Sequence, residues 1–313
     1  MKNPTQWGIK LFFKKNYNMQ FSNQKIGLGS VQWGLQYGVS NKSGQTSNSE
    51  ISSILNSART HGVNVIDTAC LYGASETNLG KQDLSAFQIV SKTPFCTSIT
   101  DANSAHNFLN GAIRQSITKL QVSKLYGYMV HRADDLLGPQ GPQIVEALRR
   151  LKEKGLVDKI GVSVYKKEHL DSITAFFTPD LIQVPINVLD QRLIKNGALK
   201  KMKDIGVEVH ARSIYLQGLL LMPLSQVPEY FGPVMPLLKH WHHRLKEQNL
   251  SPAQAAISFV CNMAEIDKVI VGVETTQQFE DAVRFSQDSI SFDASGLDCD
   301  DPAFIDPSIW KLK

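Results

Sequence analysis

Apolar positions fall along this chain in two alternating rhythms. Short, mostly β-branched runs occur at Ile26–Val31, Val63–Asp67, Gln88–Lys92, Leu125–His131, Lys159–Ser163, Leu181–Ile186, Val207–Ala211 and Lys268–Val271. Their length suits strands buried on both faces. Between them, apolar residues recur at helical spacing, most plainly over Glu50–His61, Ala105–Leu120, Ile144–Lys154 and Pro252–Cys261. Gly62, Gly155, Pro179 and Gly206 punctuate the chain ahead of the second, fifth, sixth and seventh runs. Strand followed by helix, eight times over, predicts an α/β protein folded as a single closed (β/α)8 TIM barrel. The competing open, doubly wound sheet places GxGxxG after an early strand. GLGSVQWG at Gly27–Gly34 has a different glycine spacing.

Composition narrows this further. A hydrophobic fraction of 42% over 313 residues suffices for one large core and excludes collagen-like, coiled-coil or mainly disordered chains. The expected organisation is an N-terminal leader at 1–20, a barrel at 21–285 and a C-terminal extension at 286–313. The net charge of +4 is local: Lys2, Lys10, Lys14, Lys15 and Lys25 stand in an opening stretch without acidic residues. The remaining residues are nearly balanced, which argues against a nucleic-acid partner. Lysines interrupt the apolar residues of the leader, and no other stretch is apolar for long enough to span a membrane. Cys70, Cys96, Cys261 and Cys299 are dispersed, without CxxC or another metal spacing. Four free thiols in a reducing cytoplasm is the reading, with no metal site. His240, His242 and His243 read as part of a charged helix face.

Chemistry in a barrel gathers where its strands end. The second run ends in Asp67, the third in Lys92, the fourth in His131 and the fifth in Ser163, with Gln183 on the sixth. Any one of these has a structural explanation, such as a salt bridge or a satisfied core histidine. Together, three successive strands offering Asp, Lys and His point to a site.

The loop after Asp67 reads IDTACLYGASETNLG, the third run QIVSK and the fourth GYMVH. Here the chain resembles the aldo/keto reductase superfamily, whose ordered Asp, Tyr, Lys and His are matched by Asp67, Tyr72, Lys92 and His131. The resemblance runs from about Ile26 to Phe285 and includes EALRRLKEKGLVDKIGVS, LIQVPIN and VIVGVETTQQFEDAV. It implies hydride transfer between NAD(P)H and a carbonyl carbon. Tyr72 would supply the proton, Lys92 would favour its phenolate, Asp67 would hold Lys92 charged, and His131 would hydrogen-bond the carbonyl oxygen. It further implies that Ser163 and Gln183 meet the nicotinamide carboxamide, with Ser213 and Tyr215 nearby and Tyr215 stacking beside the ring. Gly272, Thr275 and Gln278 would lie at the pyrophosphate and adenosine.

Two departures matter. Val164 stands where the family often has a carboxamide-binding Asn. Gln278 stands where an Arg often reaches the 2′-phosphate, with Glu274 adding negative charge. NADPH keeps a slight preference over NADH from the family alone. Glu76 and Asn78 read as loop organisers and Ser75 as a helix cap. Trp33, Tyr37 and Arg132 are candidate walls of a pocket for a small carbonyl compound, with a sugar-derived substrate in view. Arg132 and Arg212 each offer a contact for an acidic or phosphorylated group, or a salt bridge. Two other functions fit the same residues: a Schiff-base aldolase or isomerase using Lys92, and a non-catalytic cofactor-sensing or partner-binding barrel.

Overall fold

The structure, a computed structural model, describes residues 24–288 and 290–312, so the predicted leader lies outside the described residues. Eight parallel strands close in chain order: β1 (Ile26–Gly29), β2 (Val65–Asp67), β3 (Gln88–Lys92), β4 (Leu125–Val130), β5 (Val157–Ser163), β6 (Leu181–Pro185), β7 (Glu208–Arg212) and β8 (Lys268–Gly272). Pairing of β1 with β8, from Ile26 beside Val269 to Gly29 beside Gly272, completes the ring. The (β/α)8 barrel expected from the alternating pattern is therefore present, with strand ends shifted by one or two residues. β1 stops at Gly29 because Val31–Trp33 coil into a 3-10 turn.

The four clearest helical patterns form Asn48–Thr60, Ala102–Leu120, Gly141–Glu153 and Pro252–Cys261. Their starts are set by side chains that satisfy free backbone amides. Ser47 accepts from the Glu50 amide, Ser251 accepts from the Gln254 amide, and Asp101 and Ser104 form a reciprocal capping box.

Side chains alternate along a strand, and this splits the core in two. Val65, Val90, Met129, Leu181 and Ile270 meet inside the barrel. Ile66, Ile89, Tyr128, Val162, Ile182, Val209 and Val271 join the larger core beneath the helices. Each fully buried side chain of this size is worth about 1.5–3 kcal/mol. The interior is crowded enough that β5 passes β6 only through Gly161, where a Cβ would lie 2.0 Å from the Leu181 carbonyl oxygen.

The same alternation sets the two rims. One register step up from the apolar layer brings Asp67, Lys92, Ser163, Gln183 and Arg212 to the C-terminal mouth. One step down brings Lys159, Glu208 and Lys268 to the floor.

The boundary expected after 285 falls inside the helix Thr276–Gln287. Residues after it pack on the protein, over a second apolar cluster built by Leu189, Leu220, Phe231, Trp241, Phe292, Leu297 and Ile305. Trp310 meets the Phe231 ring edge-on, and the Cys299 amide donates to the Leu189 carbonyl. Among the described residues, no helix is long and apolar enough to cross a membrane.

Candidate active site

At the mouth, a fully buried ion pair anchors the polar groups. Lys92 Nζ donates to Asp67 Oδ1 at 2.6 Å, to Asp67 Oδ2 at 2.7 Å and to the Thr68 carbonyl at 3.0 Å. All three ammonium protons are thus engaged. Gln183 Nε2 donates to Asp67 Oδ1 at 2.7 Å. Gln183 Oε1 is buried and has no partner among the described residues.

Tyr72 reaches this pair from the loop after β2. That loop is pinned by Ser75, whose hydroxyl donates to the Ser30 carbonyl at 2.9 Å and lies 3.1 Å from Thr68 Oγ1. Ala74 is the residue that precedes the short helix Ser75–Leu79, so Ser75 ties loops together instead of capping. Asn78 donates to the Trp33 carbonyl and Ser91 donates to Glu76, as expected of organising residues. The β1 loop can press against this one only because residue 34 is glycine: a Cβ there would lie 1.9 Å from the Tyr72 carbonyl oxygen.

The Tyr72 ring stands 5.0 Å from Lys92 Nζ and meets the His131 ring edge-on at 5.9 Å. Lys92 makes no hydrogen bond to the phenol, its donors being spent on Asp67 and Thr68. The phenol pKa is accordingly raised, first by burial and then by the Asp67 charge, where the sequence reading had Lys92 drawing it toward neutrality. Burial also lowers the Lys92 pKa, with the Asp67 carboxylate pulling back against it. His131 is pushed down to about 3, by burial and then by the Lys92 charge, and is neutral at ordinary pH.

A cavity of about 500 Å³ opens beside Asp67 and Tyr72. It runs past Arg212, Ser213, Tyr215 and Gly272 to Glu274, Gln278 and Asp281. Ser163 is buried at its edge, within 3.5 Å of Arg212 Nη2. Val164 is fully buried in the outer core and offers nothing to the cavity. Tyr215 lines the wall toward Cys261 and Asp281, while Arg212 is the β7 residue beside Ser163 and Tyr165. Thr275 caps the helix Thr276–Gln287, accepting from the Gln278 amide at 3.2 Å.

The substrate-wall expectations divide. Tyr37 lines the cavity, its hydroxyl accepting from Gln217 Nε2 at 3.0 Å. Trp33 does not: it is fully buried, and its indole N–H donates to the Val273 carbonyl at 3.2 Å, so it braces the β8 loop from behind. Arg132 does not line the cavity either, being paired with Asp135 at 2.7 Å and stacked 4.2 Å from the Phe95 ring centroid.

Arg212, offered by the sequence as an anion contact or a salt bridge, and Glu50, which the sequence did not single out, proved informative. Arg212 enters the cavity, and the signal for it was available: Glu208, His210 and Arg212 alternate along an otherwise apolar strand. Glu50 reaches across to the helix Thr276–Gln287, accepting from the Thr276 amide at 2.5 Å and from its hydroxyl at 2.8 Å. These partners lie 226 positions apart, and no local pattern announces the contact.

The model of the aldo/keto reductase family matches residues 25–294. An aldo-keto reductase of Mycolicibacterium vanbaalenii is 29% identical over 153 residues, 47% of this chain and 52% of that protein. The uncharacterized oxidoreductase YtbE of Bacillus subtilis is 27% identical over 55% of this chain and 61% of its own length. The alignments therefore span about half to three-fifths of these two relatives. D-arabinose 1-dehydrogenase of Saccharomyces cerevisiae is 22% identical over 72% of this chain and 73% of that protein. Among solved structures, aldo-keto reductase AKR11C1 from Bacillus halodurans, in its holo form, superposes with a TM-score of 0.69 at 20% identity, covering 87% of this chain and 89% of the other. That likeness shows the fold. Barrel, ordered site residues and family match converge: this chain belongs to the aldo/keto reductase family.

Proposed function

We propose that this protein is an NADH-dependent reductase of a small carbonyl compound, with Tyr72 as the general acid. The observation that carries the reading is that Asp67 and Tyr72 line a cavity continuing to the start of the helix Thr276–Gln287, with Lys92 paired to Asp67 and the His131 ring against Tyr72. The residues present fit a nicotinamide cofactor. The unpartnered Gln183 Oε1 is a buried acceptor suited to a carboxamide N–H, with Ser163 close by.

Bound there, the reduced nicotinamide supplies hydride to the carbonyl carbon. Tyr72 holds its proton at neutral pH and delivers it to the carbonyl oxygen; solvent later restores it. His131, being neutral, donates an N–H to that oxygen and offsets the charge developing on it. Asp67 and Lys92 keep a fixed electrostatic field beside the Tyr72 ring. The general-acid step accounts for about 10²–10⁴-fold in rate.

The far end of the cavity supports NADH over the NADPH favoured by family habit. Its charged lining residues are Glu274 and Asp281. The Thr276 amide already donates to Glu50, and the Glu274 amide donates to Gln278 Oε1 at 2.7 Å. A 2′-phosphate would bring further negative charge to an end of the cavity whose lining, among the described residues, holds no cation, Arg284 being paired with Asp281 at 2.5 Å. Lys92 is unsuited to a Schiff base, because its nitrogen is buried and its three protons are all donated. We place the reaction in the cytoplasm, in keeping with four cysteines that stand as free thiols.

Titration of intrinsic fluorescence with NADH and NADPH, followed by nicotinamide absorbance with a panel of aldehydes and ketones, tests the reading. We expect NADH to bind at least about tenfold tighter and to be consumed with one or more carbonyl compounds. Binding without consumption of any carbonyl would replace the reductase with a cofactor-sensing barrel.

A further inference from the structure

The two arginines at the barrel mouth differ in one respect. Arg132 has its carboxylate, Asp135, and does not line the cavity. Arg212 lines the cavity and has no carboxylate within ion-pair distance among the described residues. Its guanidinium lies 4.2 Å from the Tyr165 ring centroid, with Nη1 donating to Ser213 Oγ at 3.2 Å and Nη2 to Ser163 Oγ at 3.5 Å. These neutral contacts hold its plane without balancing its charge.

Around the mouth Asp67 pairs with Lys92, Asp190 with Arg192, and Asp135 with Arg132, while the buried Glu76 accepts from Ser91 without a cation partner among the described residues. His131 is neutral. Arg212 is therefore a cation left without a carboxylate partner among the described residues, on the wall it shares with Tyr72 and Tyr37. A half-buried guanidinium without a counter-ion is costly, and the cost is relieved when an anion arrives. Its planar fork matches the paired oxygens of a carboxylate or phosphate. Gln32, Tyr37, Ser40 and Gln217 add neutral hydrogen-bonding groups along the same cavity.

We infer that Arg212 is a substrate-recognition residue and that the preferred carbonyl compound carries an anionic group, a carboxylate or a phosphate, on a short hydroxylated chain. The inference rests on the reductase reading above and names the substrate class for that site. Arg212 binds the anionic group while Tyr72 and His131 address the carbonyl oxygen, so its effect falls on substrate selection.

The test compares kcat/KM for two matched pairs: succinate semialdehyde against butanal, and glyceraldehyde 3-phosphate against glyceraldehyde. The wild type is expected to favour the anionic member of at least one pair by about 10–100-fold, as a charge-assisted contact provides. Whichever pair shows the preference identifies carboxylate or phosphate. Arg212→Gln should abolish that preference, mainly through KM of the anionic substrate, and Arg212→Lys should restore part of it. Arg132→Gln should keep the wild-type preference. NADH affinity, read by fluorescence, should change less than about threefold in Arg212→Gln, well below the loss of a charged contact. Equal losses on charged and neutral substrates, or a weakened NADH affinity, would overturn the inference and assign Arg212 to the cofactor. No preference in the wild type would overturn it too. Turnover of no carbonyl compound at all would instead sink the reductase reading.

Discussion

The barrel holds a cluster of buried charge at each end, and the two are built on opposite plans. At the floor, Glu208 accepts from Tyr126 Oη at 2.7 Å, from Lys159 Nζ, and pairs with His210 Nε2 at 2.6 Å. Both carboxylate oxygens are taken, and among the described residues the cluster's one buried side-chain atom without a partner is His210 Nδ1, which makes no contact with the carboxylate. At the mouth, Asp67 and Lys92 are equally well paired, but the groups around them remain available. Tyr72 faces a cavity, and among the described residues Gln183 Oε1 has no partner and Arg212 no counter-ion. A buried charge that is fully satisfied contributes to specifying the fold. One that leaves donors and acceptors unspent beside a cavity is arranged for something that arrives from outside. Deleting one phenolic oxygen at each end is the sharpest way to separate the two plans.

The largest effect is expected at the mouth. Tyr72→Phe should lower kcat by about 10²–10⁴-fold, the range for losing a general acid. NADH binding and the melting temperature should stay close to wild type, since the phenol makes no hydrogen bond that holds the loop. A variant that turns over like wild type would remove Tyr72 from the proton transfer and leave the mouth as another structural cluster.

Next in size is the floor. Glu208→Gln removes the charge that Lys159 and His210 share, leaving the fully buried His210 beside an amide. Breaking an enclosed pair costs several kcal/mol, but Lys159 is about one-third exposed, so a loss of about 2 kcal/mol in denaturant unfolding is expected. The catalytic constants should hold. Reduced kcat at unchanged stability would mean the floor communicates with the site and the division fails.

These contrasts also mark what the sequence discloses. The barrel was legible because its strands are short apolar runs between amphipathic helices, a pattern that depends only on local periodicity. The mouth residues were legible by parity: Asp67 and Lys92 each lie one register step beyond an interior apolar residue, Val65 and Val90. Orientation within loops was not. Trp33 and Tyr37 stand four positions apart in the same loop, yet one is fully buried behind β8 and the other lines the cavity. Arg132 finds its carboxylate three residues away, while Arg212, besides its neighbour Ser213, meets Ser163 of β5 and Tyr165 just after it. The acidic environment of the helix Thr276–Gln287 depends on Glu50, far off in sequence. Choices of cofactor and substrate rest on such long-range meetings, and periodicity carries no information about them.

Acid unfolds the two ends over different windows. Burial pushes the Glu208 carboxyl up, but donors from His210, Lys159 and Tyr126 outweigh it and hold the group at about 2, below its ordinary 4.5. Its contribution is therefore complete above pH 4.5 and is lost as pH falls toward 2. His131, held at about 3 against an ordinary 6.5, resists protonation in the folded state. Stability linked to His131 should decline as pH drops from 6.5 to about 3. Unfolding free energies of Glu208→Gln and His131→Gln, measured against pH, should each flatten in their own window. Flattening of both in the same window would merge the two clusters into one titrating network.

The smallest expected effect is the mirror image of the largest. Tyr126→Phe deletes the same atom as Tyr72→Phe, but from a hydroxyl that donates to Glu208 at 2.7 Å. A hydrogen bond to a carboxylate is worth about 1.5–3 kcal/mol when enclosed. Tyr126 is half-buried, and Glu208 keeps Lys159 and His210 after the deletion, so about 1 kcal/mol should be lost. For a domain of this size that is a fall of roughly 2 °C in Tm, detectable by calorimetry. Turnover and NADH affinity should be untouched, because Tyr126 lies on the floor beneath the interior layer of Val65, Val90, Met129, Leu181 and Ile270. A drop in kcat without a drop in Tm would show that the apolar layer transmits what happens below it. An unchanged Tm would show that Lys159 and His210 alone satisfy the carboxylate, making the floor more redundant than its three contacts imply.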